Sequence, residues 1–211
     1  GNIFRAFPAA LQQKLLNEGI EKTGIIVAEG YDYEIIKKAY RPQDDLSLLV
    51  TLKANGTIEK TVIGSLAESL TVDRHDADDW GRLKEIFASD TLQMVSFTIT
   101  EKGYSITSPD GAFRADVKAD FEAGPANADS YIGKLAALCY WRYTNGAAPL
   151  ALVSMDNCSH NGDKVKSAVL AYASKWAEQG LVPAEFLAYV QDETKITFPW
   201  SMIDKITPRP D

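Results

Sequence analysis

The sequence is poor in cysteine and histidine, and these shortages exclude several classes of protein. Its two cysteines, Cys139 and Cys158, form neither a C-x-x-C pair nor a secretory disulfide framework, so we expect a reducing, cytoplasmic location. Its two histidines belong to no motif with metal-ligand spacing, and we expect no metal ion. A serine hydrolase is excluded as well, because no G-x-S-x-G elbow occurs and a catalytic triad has few histidines to draw on.

Positive charge and long apolar runs are also scarce. The chain has 22 Lys and Arg against 29 Asp and Glu, a net charge of -7 at pH 7, and no basic block that could follow a phosphate backbone. Apolar stretches such as 46–52 and 150–155 are far shorter than the roughly 20 residues that cross a bilayer. We therefore predict no nucleic-acid partner and no membrane partner.

The sequence does contain enough apolar material for a core, and predicted strands alternate with predicted helices. With 211 residues, 45% of them hydrophobic, one large domain or two small ones can form. Helical spacing predicts helices over residues 3–17, 33–39, 76–90, 130–143, 162–179 and 183–191. Apolar runs predict buried strands over residues 24–30, 92–99 and 150–155.

Two further segments complete the predicted fold. Asn55-Gly56 joins two apolar segments and predicts an antiparallel hairpin. Residues 108–129 are dominated by Gly, Pro, Asp and Ala and predict an exposed loop with at most one short strand or turn. Strands that alternate with helices pair in parallel through crossover connections. We therefore predict an α/β fold with a doubly wound, mostly parallel sheet and an antiparallel hairpin excursion, whose ligands bind beyond the carboxyl ends of the strands.

The start of the chain resembles part of a dinucleotide-binding site. Such a site needs a strand, a glycine turn and a helix N-terminus that points at a pyrophosphate. Here the first predicted helix is preceded only by Gly1, so we expect a strand and the rest of the turn upstream. The spacing from Gly1 to Glu29 suits a carboxylate that binds the adenosine ribose and favours NAD over NADP. An interpretation of equal weight is that Glu29 is a solvated residue that caps the end of a strand.

Two polar clusters follow predicted strands, T-E-K-G-Y at 100–104 and S-M-D-N-C-S-H-N-G at 154–162. In the second cluster His160 has a side chain whose ordinary pKa of about 6.5 suits proton transfer, but a histidine beside Asn-Gly is more often a turn or capping residue. Asp156 either takes part in binding a ligand or, with equal weight, caps the next helix or accepts a hydrogen bond from a loop amide. Glu101 either pairs with Lys102 at the surface or faces a cofactor.

Four segments occur in a fixed order along the chain: G-N-I-F-R-A-F, T-E-K-G-Y, S-M-D-N-C-S-H-N-G and F-P-W-S-M-I-D-K-I-T-P. Together and in this order they resemble the long-chain mannitol dehydrogenase family, which includes mannitol 2-dehydrogenases and the reductases of fructuronate and tagaturonate. The resemblance implies that residues 1–211 form a Rossmann-type domain that binds NAD, or less readily NADP. It also implies catalysis without a metal ion and a mostly helical C-terminal domain, which would follow this chain.

The resemblance also implies roles for individual residues. Asn157 would hydrogen-bond the reacting oxygen, where a preorganised amide donor stabilises the charge that hydride transfer builds. Asp204 would lie in the substrate pocket, and Lys205 and Asn161 would help to bind the hydroxyl groups of a sugar alcohol or sugar acid. Trp200 would close either the pocket or the seam between domains. The residues expected to contact the cofactor are Gly1, Asn2, Ile3, Phe4, Glu29, Thr100 and Glu101.

This chain departs from the family pattern in two places. The family's general base is a lysine in K-x-x-x-x-N-x-x-H, a spacing that does not occur here, and F-R-A-F replaces the commoner His-Arg-Ala-His. We predict the coenzyme-binding domain of an oxidoreductase that interconverts a polyol or aldonate with its 2-keto form. The alternative is a non-catalytic nucleotide-binding or assembly module of the same fold.

Overall fold

A computed structural model describes residues 2–201, which form two compact units, residues 2–72 and residues 73–201. The first unit contains the helices α1 (Asn2–Ala6), α2 (Pro8–Asn17) and α3 (Tyr33–Ile35) and the strands β1 (Ile25–Glu29), β2 (Ser47–Leu52), β3 (Ile58–Ile63) and β4 (Leu66–Thr71). A π-helical turn, Ile36–Tyr40, and a 3-10 turn, Arg41–Gln43, follow α3.

The predicted first helix is divided into two. Phe7 has φ -125° and ψ -74°, outside the helical region, and Pro8 begins α2. Proline has no amide proton to donate and disfavours helical geometry in the residue before it, so it starts a new helix here.

The strands of the first unit form two separate pairs. β1 pairs in parallel with β4, and Glu29 lies opposite Thr71. β2 and β3 form the antiparallel hairpin that Asn55-Gly56 predicts, and Gly56 takes the positive φ of 80° that glycine accepts readily. β4 was not predicted from the sequence, because Glu68 and Ser69 interrupt its apolar residues.

The core of the first unit is a small cluster to which its helices and strands contribute. Its buried members are Phe4, Ala9, Ile36, Tyr40, Ile63 and Leu66. Hydrogen bonds add to this packing: Ser65 Oγ donates to the Ala9 carbonyl over 2.7 Å, and the Gly64 amide donates to Gln13 Oε1 over 2.7 Å. These contacts fix α2 against the turn between β3 and β4.

The second unit is larger and carries a parallel sheet in the order β5-β6-β7. Its helices are α4 (Ala77–Ala88), α5 (Glu101–Tyr104), α6 (Ala115–Ala123), α7 (Tyr131–Thr144), α8 (Asn161–Glu178) and α9 (Ala184–Gln191), and its strands are β5 (Met94–Phe97), β6 (Leu150–Ser154) and β7 (Ile196–Thr197). Each parallel pair is connected through helices, as the alternating pattern predicts. α8 packs against α6, α7, α9 and β6 and buries Tyr172 and Trp176.

Two predictions for the second unit are wrong in detail. Residues 108–129 are not only a loop, because α6 lies within them and buries Val117 and Phe121. α6 is short, and the segments on either side of it are rich in Gly and Asp. The composition of residues 108–129 as a whole therefore does not reveal the two apolar residues that α6 buries. The strand predicted over 92–99 ends at Phe97, and the T-E-K-G-Y cluster that follows forms the short helix α5 with Thr100 before its first residue.

Arg142 is an unexpected organising residue of the second unit. It is 1% exposed, and its guanidinium donates five hydrogen bonds of 2.7 to 2.9 Å to backbone carbonyls. The acceptors are the carbonyls of Phe87, Ser89, Leu92, Ala148 and Pro149. Arg142 therefore joins the segment that enters β5 to the segment that enters β6.

Candidate functional site

In the first unit, Glu29 ends β1 with its carboxylate in a defined position. Its Oε1 accepts hydrogen bonds from the amides of Tyr31, at 2.8 Å, and Asp32, at 3.2 Å. Within residues 2–201 its second carboxylate oxygen accepts no hydrogen bond, so it can accept hydrogen bonds from a ligand. One carboxylate oxygen of Glu29 binds backbone amides, which agrees with the capping alternative. The predicted hydrogen bonds to ribose concern the other oxygen, so Glu29 can have both roles.

The other cofactor residues predicted in the first unit lie at the start of the chain. Helix α1 begins at Asn2, and Phe4 is buried in the core at 8% exposure, so any contact from Phe4 would come from its backbone. Ile3 is half-buried in the same helix. Gly1 lies outside the described residues.

In the second unit, the carboxyl end of β5 leads to Thr100 and Glu101 at the start of α5. Both residues are exposed, and Glu101 forms an ion pair with Lys164 of α8 rather than with its neighbour Lys102. The ammonium group of Lys164 holds the pKa of the Glu101 carboxyl below its usual range. The alternative of a surface pair with Lys102 is therefore wrong, because Glu101 pairs with Lys164, which lies 63 positions away along the chain.

The carboxyl end of β6 continues into a loop that is held by Asp156. One carboxylate oxygen accepts the amide of Cys158 at 2.8 Å, and the other accepts the hydroxyl proton of Tyr104. Tyr104 is 3% exposed, and burial followed by the Asp156 hydrogen bond raises the pKa of its hydroxyl. Tyr104 thus stays a proton donor at neutral pH and connects α5 to the loop.

Asn157 and His160 are exposed in this loop, in different ways. Within residues 2–201 the Asn157 side chain makes no hydrogen bond, so its amide can donate to a ligand. His160 takes φ 54°, precedes α8 and makes no capping hydrogen bond with its side chain. Its ring stacks on Trp200, with ring centroids 4.2 Å apart and an interplanar angle of 21°. This geometry favours the turn interpretation of His160 over a general base.

Asn161 is fully buried and forms hydrogen bonds in several directions. Its amide nitrogen donates to the carbonyls of Ser201, at 2.8 Å, and Asp156, at 3.2 Å, and its oxygen accepts the Ser201 amide at 3.2 Å. With 0% exposure and its polar groups engaged, the side chain offers no surface to a sugar. Direct substrate contact by Asn161 is therefore not favoured, and we interpret it as a positioning residue.

The predicted site residues and the residues that contact these loops in the structure are not the same set. Asp204 and Lys205 lie outside the described residues. Tyr104, Lys164 and Ser201 were missed, although Tyr104 belongs to the T-E-K-G-Y motif and its conspicuous aromatic ring was the available signal. Ser201 belongs to the F-P-W-S-M-I-D-K-I-T-P motif, whereas Lys164 gave no signal, because only the fold brings it to Glu101.

Surface grooves do not mark the site. One groove of about 380 Å³ in the first unit lies along α2 and Thr61, and one of about 350 Å³ in the second unit lies near Leu150 and Lys195. The second groove is at the amino ends of β6 and β7, whereas ligands of open α/β sheets bind beyond the carboxyl ends. Within residues 2–201, no group of three or more His, Cys, Asp or Glu side chains is arranged to hold a metal ion, and no helix is both long and apolar enough to cross a membrane.

Comparison with known proteins identifies the class to which this fold and these strand-end loops belong. The family model described as the mannitol dehydrogenase Rossmann domain matches residues 1–211. The chain belongs to the mannitol dehydrogenase family, and its fold is a Rossmann domain, as the motifs and the alternating pattern predict.

Individual relatives extend this result. The chain is 48% identical over 210 residues to a D-mannonate oxidoreductase of Thermotoga maritima, covering 100% of this chain and 38% of the relative. It is 30% identical to a polyol:NADP oxidoreductase of Gluconobacter oxydans, covering 99% of this chain and 41% of the relative. The mannitol 2-dehydrogenase of Pseudomonas fluorescens, solved as a ternary complex with NAD and D-mannitol, matches with a TM-score of 0.78 and 30% identity over 99% of this chain and 41% of that one. The chain thus spans about two fifths of the length of these relatives.

Proposed function

We propose that this chain is the NAD-binding domain of an oxidoreductase that interconverts a sugar acid or sugar alcohol with its 2-keto form. The observation that carries the proposal is the exposed amide of Asn157, which has no partner within residues 2–201 and lies beyond the carboxyl end of β6 in the family's S-x-D-N motif. The 48% identity to a D-mannonate oxidoreductase favours mannonate and fructuronate over mannitol and fructose.

Residues of the first unit suit the adenosine half of NAD. Glu29 offers one carboxylate oxygen that accepts no hydrogen bond within residues 2–201, while its other oxygen is held by two backbone amides. A carboxylate in this position binds ribose hydroxyls and repels a 2'-phosphate. The proposed cofactor is therefore NAD, with Gly1 and the start of α1, from Asn2 to Phe4, contributing backbone amides.

Residues of the second unit suit the reacting half. A bound nicotinamide supplies or accepts the hydride. Asn157 would donate a hydrogen bond to the substrate oxygen as negative charge develops there. Tyr104 and Asp156 fix the loop that carries Asn157, while Thr100 and Glu101 would lie on the cofactor side, and Asp204 and Lys205 would bind the sugar. The proton would move through a lysine of the K-x-x-x-x-N-x-x-H motif in a C-terminal domain.

We also propose that the parent protein has a strand before Gly1 and a helical domain after Asp211. β1 pairs only with β4, and β5 pairs only with β6, within the described residues. In the strand order 3-2-1-4-5-6 of dinucleotide-binding folds, the second strand, whose equivalent here is β1, pairs with both the first and the third. The open edge of β1 supports a preceding strand. A cytoplasmic location is part of the same proposal and is supported by two free cysteines.

The catalytic role can be tested in the full-length protein with Asn157→Ala. Loss of the amide donor should lower kcat about 10²- to 10³-fold for fructuronate reduction with NADH, because an oxyanion donor contributes about 2.7 to 4 kcal/mol. Asn127→Ala, which removes an exposed asparagine from another loop of the second unit, is the control and should leave kcat unchanged. Unchanged turnover in Asn157→Ala would exclude the role.

Cofactor choice is tested separately by binding. NADH should bind the full-length protein more tightly than NADPH, and Glu29→Gln should reduce that preference. NADPH binding as tight as NADH binding, as the polyol:NADP relative makes plausible, would contradict the assignment of Glu29. Tight NADH binding with no turnover of any sugar acid or polyol would favour the alternative, a non-catalytic nucleotide-binding module.

A further inference from the structure

Tyr31 is the most exposed of the large apolar and aromatic residues within residues 2–201. It is 95% exposed, whereas Leu52, the next most exposed of these residues, is 75% exposed. A ring that stays in water contributes none of the burial energy that aromatic residues usually supply to a fold. Because single exposed apolar residues are common at protein surfaces, the position of Tyr31 decides whether its ring has a function.

The backbone of Tyr31 is fixed, although its ring is exposed. The Tyr31 amide donates to Glu29 Oε1 over 2.8 Å, and the Asp32 amide donates to the same oxygen over 3.2 Å. The chain after β1 therefore folds back onto the carboxylate that is proposed to bind the ribose. The Cα atoms of Glu29 and Tyr31 are at most about 7 Å apart, at roughly 3.6 Å per extended residue.

Hydrogen bonds also attach this turn to the end of β4. The Tyr33 hydroxyl donates to the Val72 carbonyl over 2.8 Å, and the Val72 amide donates to the Glu29 carbonyl over 2.8 Å. Val72 directly follows β4, which pairs in parallel with β1. Tyr31 is thus held between two residues that both bind Val72, at the edge of the sheet where α/β folds bind ligands.

The two tyrosines of this turn differ in how the fold uses them. Tyr33 is half-buried, and its hydroxyl binds Val72. Within residues 2–201 the Tyr31 side chain has neither a hydrogen bond nor an aromatic partner. Packing and hydrogen bonding inside the first unit therefore account for Tyr33 but not for Tyr31.

We propose that the Tyr31 ring stacks on the adenine of NAD. The adenine is bonded to the same ribose whose hydroxyl groups Glu29 is proposed to bind, so the base lies beside the turn that carries Tyr31. Aromatic side chains stack on nucleobases because both present a flat π face. The inference rests on the proposed function, because it takes NAD as the cofactor.

Glu29 and Tyr31 then have separate effects on cofactor binding. The Glu29 carboxylate lies against the ribose and discriminates between NADH and NADPH, which differ only in the 2'-phosphate. The Tyr31 ring lies against the base, which the two cofactors share. Loss of the ring should therefore weaken both cofactors by the same factor, whereas Glu29→Gln should change their ratio.

The test measures dissociation constants of the full-length protein by calorimetry for NADH, NADPH and ADP-ribose, which lacks the nicotinamide. Tyr31→Ala should raise all three about 5- to 140-fold, which corresponds to about 1 to 3 kcal/mol of stacking at 1.4 kcal/mol per tenfold. Tyr31→Phe keeps the ring and should stay within about twofold of the wild type.

The matched control is Leu52→Ala, which removes another exposed side chain from the first unit and should leave all three constants unchanged. The value of kcat at saturating NADH should be the same in Tyr31→Ala and the wild type, because a contact made equally in the ground state and the transition state affects binding alone. Tm should also be unchanged, since the ring is exposed.

Three outcomes would overturn the proposal. Unchanged binding of ADP-ribose and NADH in Tyr31→Ala would show that the ring does not contact the base. A loss in Tyr31→Phe as large as that in Tyr31→Ala would assign the effect to the hydroxyl group. Weaker binding of only NADH or only NADPH would place Tyr31 at the 2'-position of the ribose.

The same measurements distinguish failure of this inference from failure of the proposed function. If the wild type binds NADH but reduces no sugar acid or polyol, the proposed activity fails, and the dissociation constants of Tyr31→Ala still decide the role of the ring. If the wild type turns over and Tyr31→Ala binds as tightly, only this inference fails. If the wild type binds none of the three ligands, both are refuted.

Discussion

Replacing Arg142 with lysine tests the most demanding feature of the second unit. Lysine keeps the positive charge and the apolar stem but can donate three hydrogen bonds, whereas the guanidinium donates five here. At least two of the five hydrogen bonds are then lost. A hydrogen bond to a charged group contributes about 1.5 to 3 kcal/mol, so Arg142→Lys should lower the free energy of unfolding by about 3 to 6 kcal/mol.

The loss is large because Arg142 is 1% exposed, so an ammonium group in its place would lose hydrogen bonds without gaining contact with water. Two of the acceptors keep a second donor, since the Ser89 carbonyl also accepts the Leu92 amide and the Ala148 carbonyl also accepts the Tyr189 hydroxyl. A loss of this size approaches the whole stability of an ordinary domain, about 5 to 15 kcal/mol. We therefore expect poor expression or a strongly lowered urea midpoint for Arg142→Lys.

Urea denaturation followed by circular dichroism measures the effect. Arg114→Lys is the matched control, because Arg114 is exposed and pairs with Asp116 at the surface. The control should change the free energy of unfolding by less than about 0.5 kcal/mol. If Arg142→Lys stays within about 1 kcal/mol of the wild type, the five hydrogen bonds do not have the role inferred here.

Three further predictions concern stability. The Arg74 guanidinium holds the pKa of the Asp129 carboxyl below its ordinary value, so the pair stabilises the fold fully above about pH 5 and loses this effect as the pH falls through the lowered pKa. Asp129→Asn should therefore reduce the loss of unfolding free energy at acid pH by under about 1 kcal/mol, measured by urea titrations at several pH values. Gly133→Ala should lower Tm and cost about 1 to 3 kcal/mol of unfolding free energy, because the new Cβ would stand 2.3 Å from Asp120 Oδ2. The control Gly81→Ala in α4 meets nothing within 4 Å and should raise Tm, since alanine favours a helix more than glycine does. A higher Tm for Gly133→Ala than for Gly81→Ala would contradict this packing. Tyr104→Phe removes the hydrogen bond to Asp156 and should cost about 1.5 to 3 kcal/mol in thermal unfolding, and an unchanged Tm would show that the bond is not stabilising.

Local patterns predicted much of the fold because they depend on neighbouring residues. Helical spacing identified α7, α8 and α9 nearly to their ends, and Asn55-Gly56 identified the hairpin of β2 and β3. The same reasoning missed β4 and α6. Both are short elements with polar residues inside them, and their apolar contacts come from distant parts of each unit.

For the candidate site, the motifs pointed to the loops that follow β5 and β6 but did not predict the contacts that each side chain makes there. The S-x-D-N motif pointed to Asn157, which is indeed exposed at a strand end. The neighbouring Asn161 has the same chemical groups but is buried and engaged with Ser201, a residue 40 positions away. Nothing in the local sequence distinguishes an amide that faces solvent from one that holds two segments together.

By itself, the sequence determined the class of the protein: an acidic α/β chain with the order of motifs that defines the mannitol dehydrogenase family. The reason is that periodicity and motif spacing are properties of the chain before it folds. Only the tertiary structure decided that Arg142 joins two segments, that Glu101 pairs with Lys164 and that Trp200 stacks on His160. Each of these contacts joins residues far apart in the sequence, and their distances exist only once the second unit has folded.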